Sequence, residues 1–176
     1  QLTHYDALTG LPNRQLLRNS LHKAMAVSAR SRHFGAVLFL DLDHFKTIND
    51  TKGPAVGDRL LVAVAQRLTA CVREGGLVAR PGGDEFIVML DGLSLMPTEA
   101  ATQAELVAER IRQALAEVVL LDEEVVQTQS SIGIVMFLGQ QESADSLLQH
   151  ADTAMYQAKD AGRNTIRFFD PDMQAE

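Results

Sequence analysis

The 176-residue chain contains no apolar run near the roughly 18–20 residues that a membrane helix requires, so no span is expected. Its opening residues lack the basic-then-apolar pattern of a signal segment, and nothing in them directs export. The single cysteine, Cys71, excludes an internal disulfide. That fits a cytoplasmic domain, with or without a membrane anchor elsewhere in the full-length protein. Cys71 falls in an apolar helical pattern and reads as a core thiol rather than a nucleophile. Basic residues are also short: 16 Lys and Arg stand against 23 Asp and Glu, a formal net charge of -7. A general nucleic-acid binder needs a basic face, so that class is set aside, and no membrane contact is expected of this domain. A nucleotide site survives, because a few local cations and a metal can reverse the sign of the field.

Hydrophobic residues make up 46% and charged residues 22%, ordinary proportions for a globular domain with a sizeable core. No low-complexity linker or internal repeat divides the chain, so residues 1–176 read as one excised domain. Gln1 to Tyr5 and Asp170 to Glu176 are polar and aperiodic, and read as linker remnants. After Pro12 and Asn13, a helical pattern sets Leu17, Leu21, Ala24 and Met25 on one face. Phe34 to Leu40 reads as a fully buried strand that delivers Asp41 at its carboxyl end. A polar turn is expected next, then a helix with Leu60 or Leu61, Val64 and Leu68 inward. Strand patterns at Leu77 to Ala79 and Glu85 to Leu90 flank Gly82-Gly83, a hairpin signal because primed turns need positive φ. Val107, Ile111, Ala114 and Val118 mark another helix, and Val125 to Phe137 one long strand containing Gly133. Leu148, Ala151, Met155 and Ala158 line a last helix before an edge strand at Thr165 to Phe169. Together these elements predict an α/β fold of the α+β kind, a central mixed sheet surrounded by helices.

Two acidic clusters carry chemistry: Asp41-Leu42-Asp43 at a strand end, and Gly82-Gly83-Asp84-Glu85 in the hairpin. Hard oxygen donors there suit magnesium with a phosphate chain, and the adjacent glycines let a bulky nucleotide approach the backbone. Each cluster alone is equally a glycine turn with solvated acids. Lys159 and Arg163, four residues apart, are expected on one helix face, where they could hold a polyphosphate or simply face solvent. Asn49, Asp50 and Asp58 could pair with a purine edge or cap turns.

Four blocks in order resemble the GGDEF family across nearly the whole chain: Asp6-Ala-Leu-Thr-Gly-Leu-Pro-Asn-Arg14, Asp41 to Asp50 with Gly57-Asp58, Arg80-Pro-Gly-Gly-Asp-Glu-Phe86, and Ala151 to Lys159 continuing to Gly162-Arg163-Asn164. The resemblance implies a fold like the nucleotidyl cyclase and polymerase palm, which is ferredoxin-like. It implies a diguanylate cyclase that condenses two GTP into cyclic di-GMP and pyrophosphate in a head-to-head homodimer. Magnesium, with manganese as the alternative ion, would be held by Asp41, Asp84, Glu85 and the Leu42 carbonyl. Asp84 or Glu85 would assist deprotonation of the attacking ribose hydroxyl. Backbone amides around His44 and Phe45 would cradle the terminal phosphates, with Lys46, Lys159 and Arg163 balancing charge. Asn49 and Asp58 would read guanine, beside the close backbone of Gly82 and Gly83. Asp6 to Arg14 would couple an upstream sensor to the catalytic domain, and the closing Phe168 to Met173 is similar to a junction with an attached EAL phosphodiesterase domain.

Two departures qualify the match. Pro54 stands where the family often has histidine, which either weakens a nucleotide contact or pre-sets the next helix. That keeps open a second reading, a weak or inactive GTP-binding module regulating an EAL domain. The product-inhibition motif is degenerate, because Arg73 is present but Gly76 replaces its aspartate. Calorimetry is therefore expected to show no cyclic di-GMP binding tighter than about 1 μM at this site. Tighter binding that Arg73→Ala abolishes would overturn that expectation.

Overall fold

The computed structural model describes residues 4–72 and 76–170. The elements run α1 (Arg14–Ser31), β1 (Gly35–Asp43), α2 (Phe45–Lys52), α3 (Pro54–Cys71), β2 (Gly76–Gly82) and β3 (Glu85–Leu90). They continue as α4 (Pro97–Ala116), β4 (Val119–Leu121), β5 (Glu124–Val126), β6 (Gln129–Phe137), α5 (Ala144–Asp160) and β7 (Ile166–Phe168). The main sheet has the order β2-β3-β1-β6-β7, antiparallel except for the parallel β6–β7 edge, while β4 and β5 form a separate hairpin. The mixed sheet covered by helices agrees with the sequence patterns.

Strand β1 is central and apolar from Ala36 to Leu40, because both of its faces are covered. Side chains alternate across a strand, so Ala36, Leu38, Leu40 and Leu42 pack on one side against α3 and α4. Val37 and Phe39 pack on the other side with Leu17 and Leu21 of α1 and Leu148, Ala151 and Met155 of α5. The same alternation commits Asp41 to the α1–α5 side and removes Leu42 from it. Cys71 is buried with the α3 core, where desolvation raises its thiol pKa.

Gly133 sets how closely α5 lies on the sheet. A Cβ at this position would overlap the Met155 amide nitrogen and the Ala151 carbonyl oxygen. Backbone meets backbone here, so no side-chain rotation could relieve an added methyl.

Four expectations need correction. Strand β1 runs on to Asp43, because Asp41, Leu42 and Asp43 stay paired with Ser131, Ser130 and Gln129 of β6. The polar stretch that follows is helix α2, its only buried side chain being Phe45. The long strand from Val125 is interrupted at Gln127–Thr128, giving β5 and β6. Helix α4 ends at Ala116, leaving Val118 outside it, because Arg67 of α3 donates to the carbonyls of Ala114 at 2.9 Å and of Glu117 and Val118 at 2.8 Å. A guanidinium from a distant helix thus satisfies carbonyls that continued helix would otherwise use.

Gly133→Ala should cost about 1–3 kcal/mol by overpacking. Urea denaturation checks this, and an unchanged midpoint would mean that α5 can withdraw freely.

Candidate active site

Strands β1 and β3 bring the two acidic clusters together. Asp41 lies directly opposite Glu85 in the ladder, and the Leu42 amide donates to the Asp84 carbonyl at 3.4 Å. Like charges facing across a strand pair repel, so this end of the sheet is electrostatically strained without a cation. Lys159 of α5 supplies one, its Nζ 3.0 Å from Asp41 Oδ2 and 3.9 Å from Asp43 Oδ1. Asp41 Oδ1 is buried and accepts no hydrogen bond. Burial first, and the adjacent Asp84 carboxyl second, push the Asp41 pKa from 3.8 to about 7 against the pull of Lys159. Glu85 is raised by burial and by its acidic neighbours Asp152 and Asp41, with Arg14 and Lys159 acting oppositely.

Asp152 and Arg14 were not singled out from the sequence. Burial and then Asp41 raise the Asp152 pKa, Arg14 lowers it, and Asp152 Oδ1 is buried without a partner. The signal was available in the spacing: Asp152 and Lys159 are seven residues, two helical turns, apart on α5. Arg80, which opens the hairpin block, has a role that the sequence pattern does not assign. Its Nη1 holds the Asp6 carboxylate at 2.9 and 3.0 Å, while Nε and Nη2 donate to the Gly83 carbonyl at 3.0 and 2.7 Å. Burial opposes ionisation of Asp6, but hydrogen bonds from Thr9 and Arg80 outweigh it and hold the pKa below its ordinary value. The opening motif is thereby tied to the turn that carries Asp84.

Asp43 is closed off from solvent. At 1% exposure it accepts from Ser131 Oγ at 2.7 Å and from the Asn164 amide at 3.0 Å, anchoring the turn after α5. Arg163 needs a correction. Helix α5 stops at Asp160, and Gly162, Arg163 and Asn164 all take positive φ, so Arg163 is exposed in a turn rather than one turn beyond Lys159 on the same helix face. The helical spacing fails because Gly162 favours a left-handed exit.

His44 takes φ 64° at the start of α2 and makes no side-chain cap, leaving the first-turn amides of Phe45 and Lys46 free of a capping side chain. The Phe45 side chain is buried while Lys46 is exposed. Asn49 Oδ1 is buried, has no hydrogen-bond partner, and rests where a Cβ on Gly57 would be. Asp58 is exposed one residue further along α3. The hairpin turn is Gly83-Asp84 rather than Gly82-Gly83, because Gly82 still pairs with Glu85 as the last residue of β2; Gly76 opens β2, and Arg73 lies outside the described residues.

The donor set suits a hard divalent cation. Asp41 offers an orphaned buried oxygen, Asp84 and Glu85 add carboxylates, and Leu42, its side chain 1% exposed, can contribute only its carbonyl. Among the described residues no three His, Cys, Asp or Glu side chains form a ready metal cluster.

The family model for the diguanylate cyclase GGDEF domain matches residues 3–165. The chain belongs to the GGDEF family. It is 42% identical over 175 residues to the bifunctional diguanylate cyclase/cyclic di-GMP phosphodiesterase MucR of Pseudomonas aeruginosa, covering 99% of this chain and 25% of MucR. It is 37% identical over 170 residues to the cyclic di-GMP phosphodiesterase NbdA of the same species, covering 96% of this chain and 21% of NbdA. The solved GGDEF domain of TpbB from Pseudomonas aeruginosa superposes with a TM-score of 0.90 at 37% identity, covering 98% of this chain and all of that one (100%). The GGDEF chain thus spans about a quarter or less of the two longer relatives. None of its described helices is long and apolar enough to cross a membrane.

The Asp41 shift has a signed consequence. Unfolded, Asp41 releases its proton near 3.8; folded, it keeps it to about 7, so its stabilising contribution is lost as pH rises through that window. Without divalent metal, the parent chain should lose stability between those pH values relative to Asp41→Asn. Chemical denaturation across that range checks it, and a pH-independent difference would contradict the shift.

Proposed function

We propose that this GGDEF domain is a diguanylate cyclase half-site that binds one GTP and works in a facing pair. The observation that carries the reading is the convergence of Asp41, Asp84 and Glu85 at one sheet end beside Lys159 and the uncapped start of α2. Asp41, Asp84, Glu85 and the Leu42 carbonyl would hold magnesium or manganese. Once bound, the ion would polarise phosphoryl oxygens and offset the crowded carboxylates.

The chain's own groups do the rest. Free amides at the start of α2 receive the terminal phosphates, which the helix dipole favours. Lys159, Lys46 and the exposed Arg163 balance their charge. Asn49 and Asp58 meet the guanine edge. Asp84 or Glu85 assists deprotonation of the ribose 3′-hydroxyl. The 3′-oxygen then bonds to the partner's α-phosphorus as the bond to the bridging oxygen breaks and pyrophosphate leaves. A second attack closes the ring. Facing domains supply the orientation that makes each attack effectively intramolecular.

A second reading, a GTP-sensing module controlling an attached EAL domain, has support in Pro54 and in a relative named only as a phosphodiesterase. Pro54, however, is exposed at the first turn of α3, where its missing N–H costs little.

Chromatography of product from GTP and magnesium at several protein concentrations decides between them. Cyclic di-GMP should rise faster than linearly with protein, and Asp84→Ala should lower turnover by roughly 100-fold or more with melting unchanged. Clear GTP binding with no product at any concentration would favour the sensing module.

A further inference from the structure

Helices α2 and α3 meet at one residue, Gly53, which ends the first helix and begins the second at φ 97°. That joint sets the distance between Asn49, three residues before the end of α2, and Asp58 in the first turns of α3. Across the joint the Gly53 amide donates to the Asn49 carbonyl at 2.9 Å, Phe45 of α2 is buried with Val56 and Leu60 of α3, and Asn49 Oδ1 packs unbonded near Gly57.

The β4–β5 hairpin spans the same joint from outside. Its inner side chains, Val119, Leu121 and Val126, are buried in the α3 core, and Arg67 of α3 holds its root. At its tip, Glu124 pairs with Lys52 of α2 at 3.1 Å, and Asp122, in a left-handed conformation at φ 56°, pairs with Arg59 of α3. Lys52 is the last residue of α2, and Arg59 immediately follows Asp58. One turn therefore contacts both helices, each beside a proposed base reader.

We propose that the hairpin tip is a positioning device for base recognition, with Asp122 and Glu124 fixing the α2–α3 angle that places Asn49 and Asp58. It rests on the reading of those two residues as guanine readers. Exposed ion pairs contribute little to overall stability, but a pair across a one-residue joint acts on geometry rather than on burial.

The test is binding by the 176-residue chain with magnesium, using GTP and, as a ligand without a base, inorganic tripolyphosphate. Asp122→Asn combined with Glu124→Gln should weaken GTP binding about 3- to 10-fold and leave tripolyphosphate binding and melting unchanged. Exchanging the Glu124–Lys52 pair, as Lys52→Glu with Glu124→Lys, should restore most of the affinity that Glu124→Lys alone removes. Equal losses for both ligands, or no loss for GTP, would overturn the inference. Asn49→Ala separates the two levels. If it weakens GTP selectively while the tip variants do not, only the hairpin's role falls. If Asn49→Ala has no effect on GTP, the base-reading assignment falls and the inference with it.

Discussion

Helix α5 can lie on strand β6 only because Gly133 has no side chain, and the site is built on that contact. From this position α5 brings Lys159 to Asp41, and the turn after it returns the Asn164 amide to Asp43. Asp152, on the same helix face as Lys159, reaches the electrostatic neighbourhood of Glu85. Because the contact is between backbones in a densely packed interior, it fixes α5 in both height and rotation.

The acids that converge there work against folding. Asp41 and Glu85 oppose each other in the ladder, and burial raises the pKa of both. A structure selected only for stability would place apolar or paired groups at such positions. Lys159 offsets part of the repulsion, and the Arg80–Asp6 pair holds the Asp84 turn in place. The remaining imbalance is an oriented demand for positive charge, which a cation carrying a phosphate chain would meet.

The apolar periodicity of the helices and the uninterrupted run of β1 were legible because each follows from local burial: Leu17, Leu21, Leu148 and Met155 are buried as their spacing predicts. Where reading failed, a distant group had intervened. Helix α4 stops before Val118 because Arg67 takes its carbonyls, and no local signal near residue 117 reports that. The β4–β5 hairpin lacks a glycine turn, since Asp122 supplies the left-handed residue. Arg163 was assigned to a helix face by spacing, although Gly162 already marked the exit.

By itself the sequence determined the family, the mixed sheet and the residues available for chemistry, since motif order and apolar period are properties of the chain alone. It could not decide which acids share a space. Asp41 and Asp43 are two residues apart and point to the same side of one strand, yet one keeps an unpaired oxygen while the other is sealed by Ser131 and Asn164. That difference arises from groups about 90 and 120 residues away in the chain, brought near only when β6 and α5 close on β1. Proton affinity and partner follow from that closure, because desolvation and charge act through space and not along sequence.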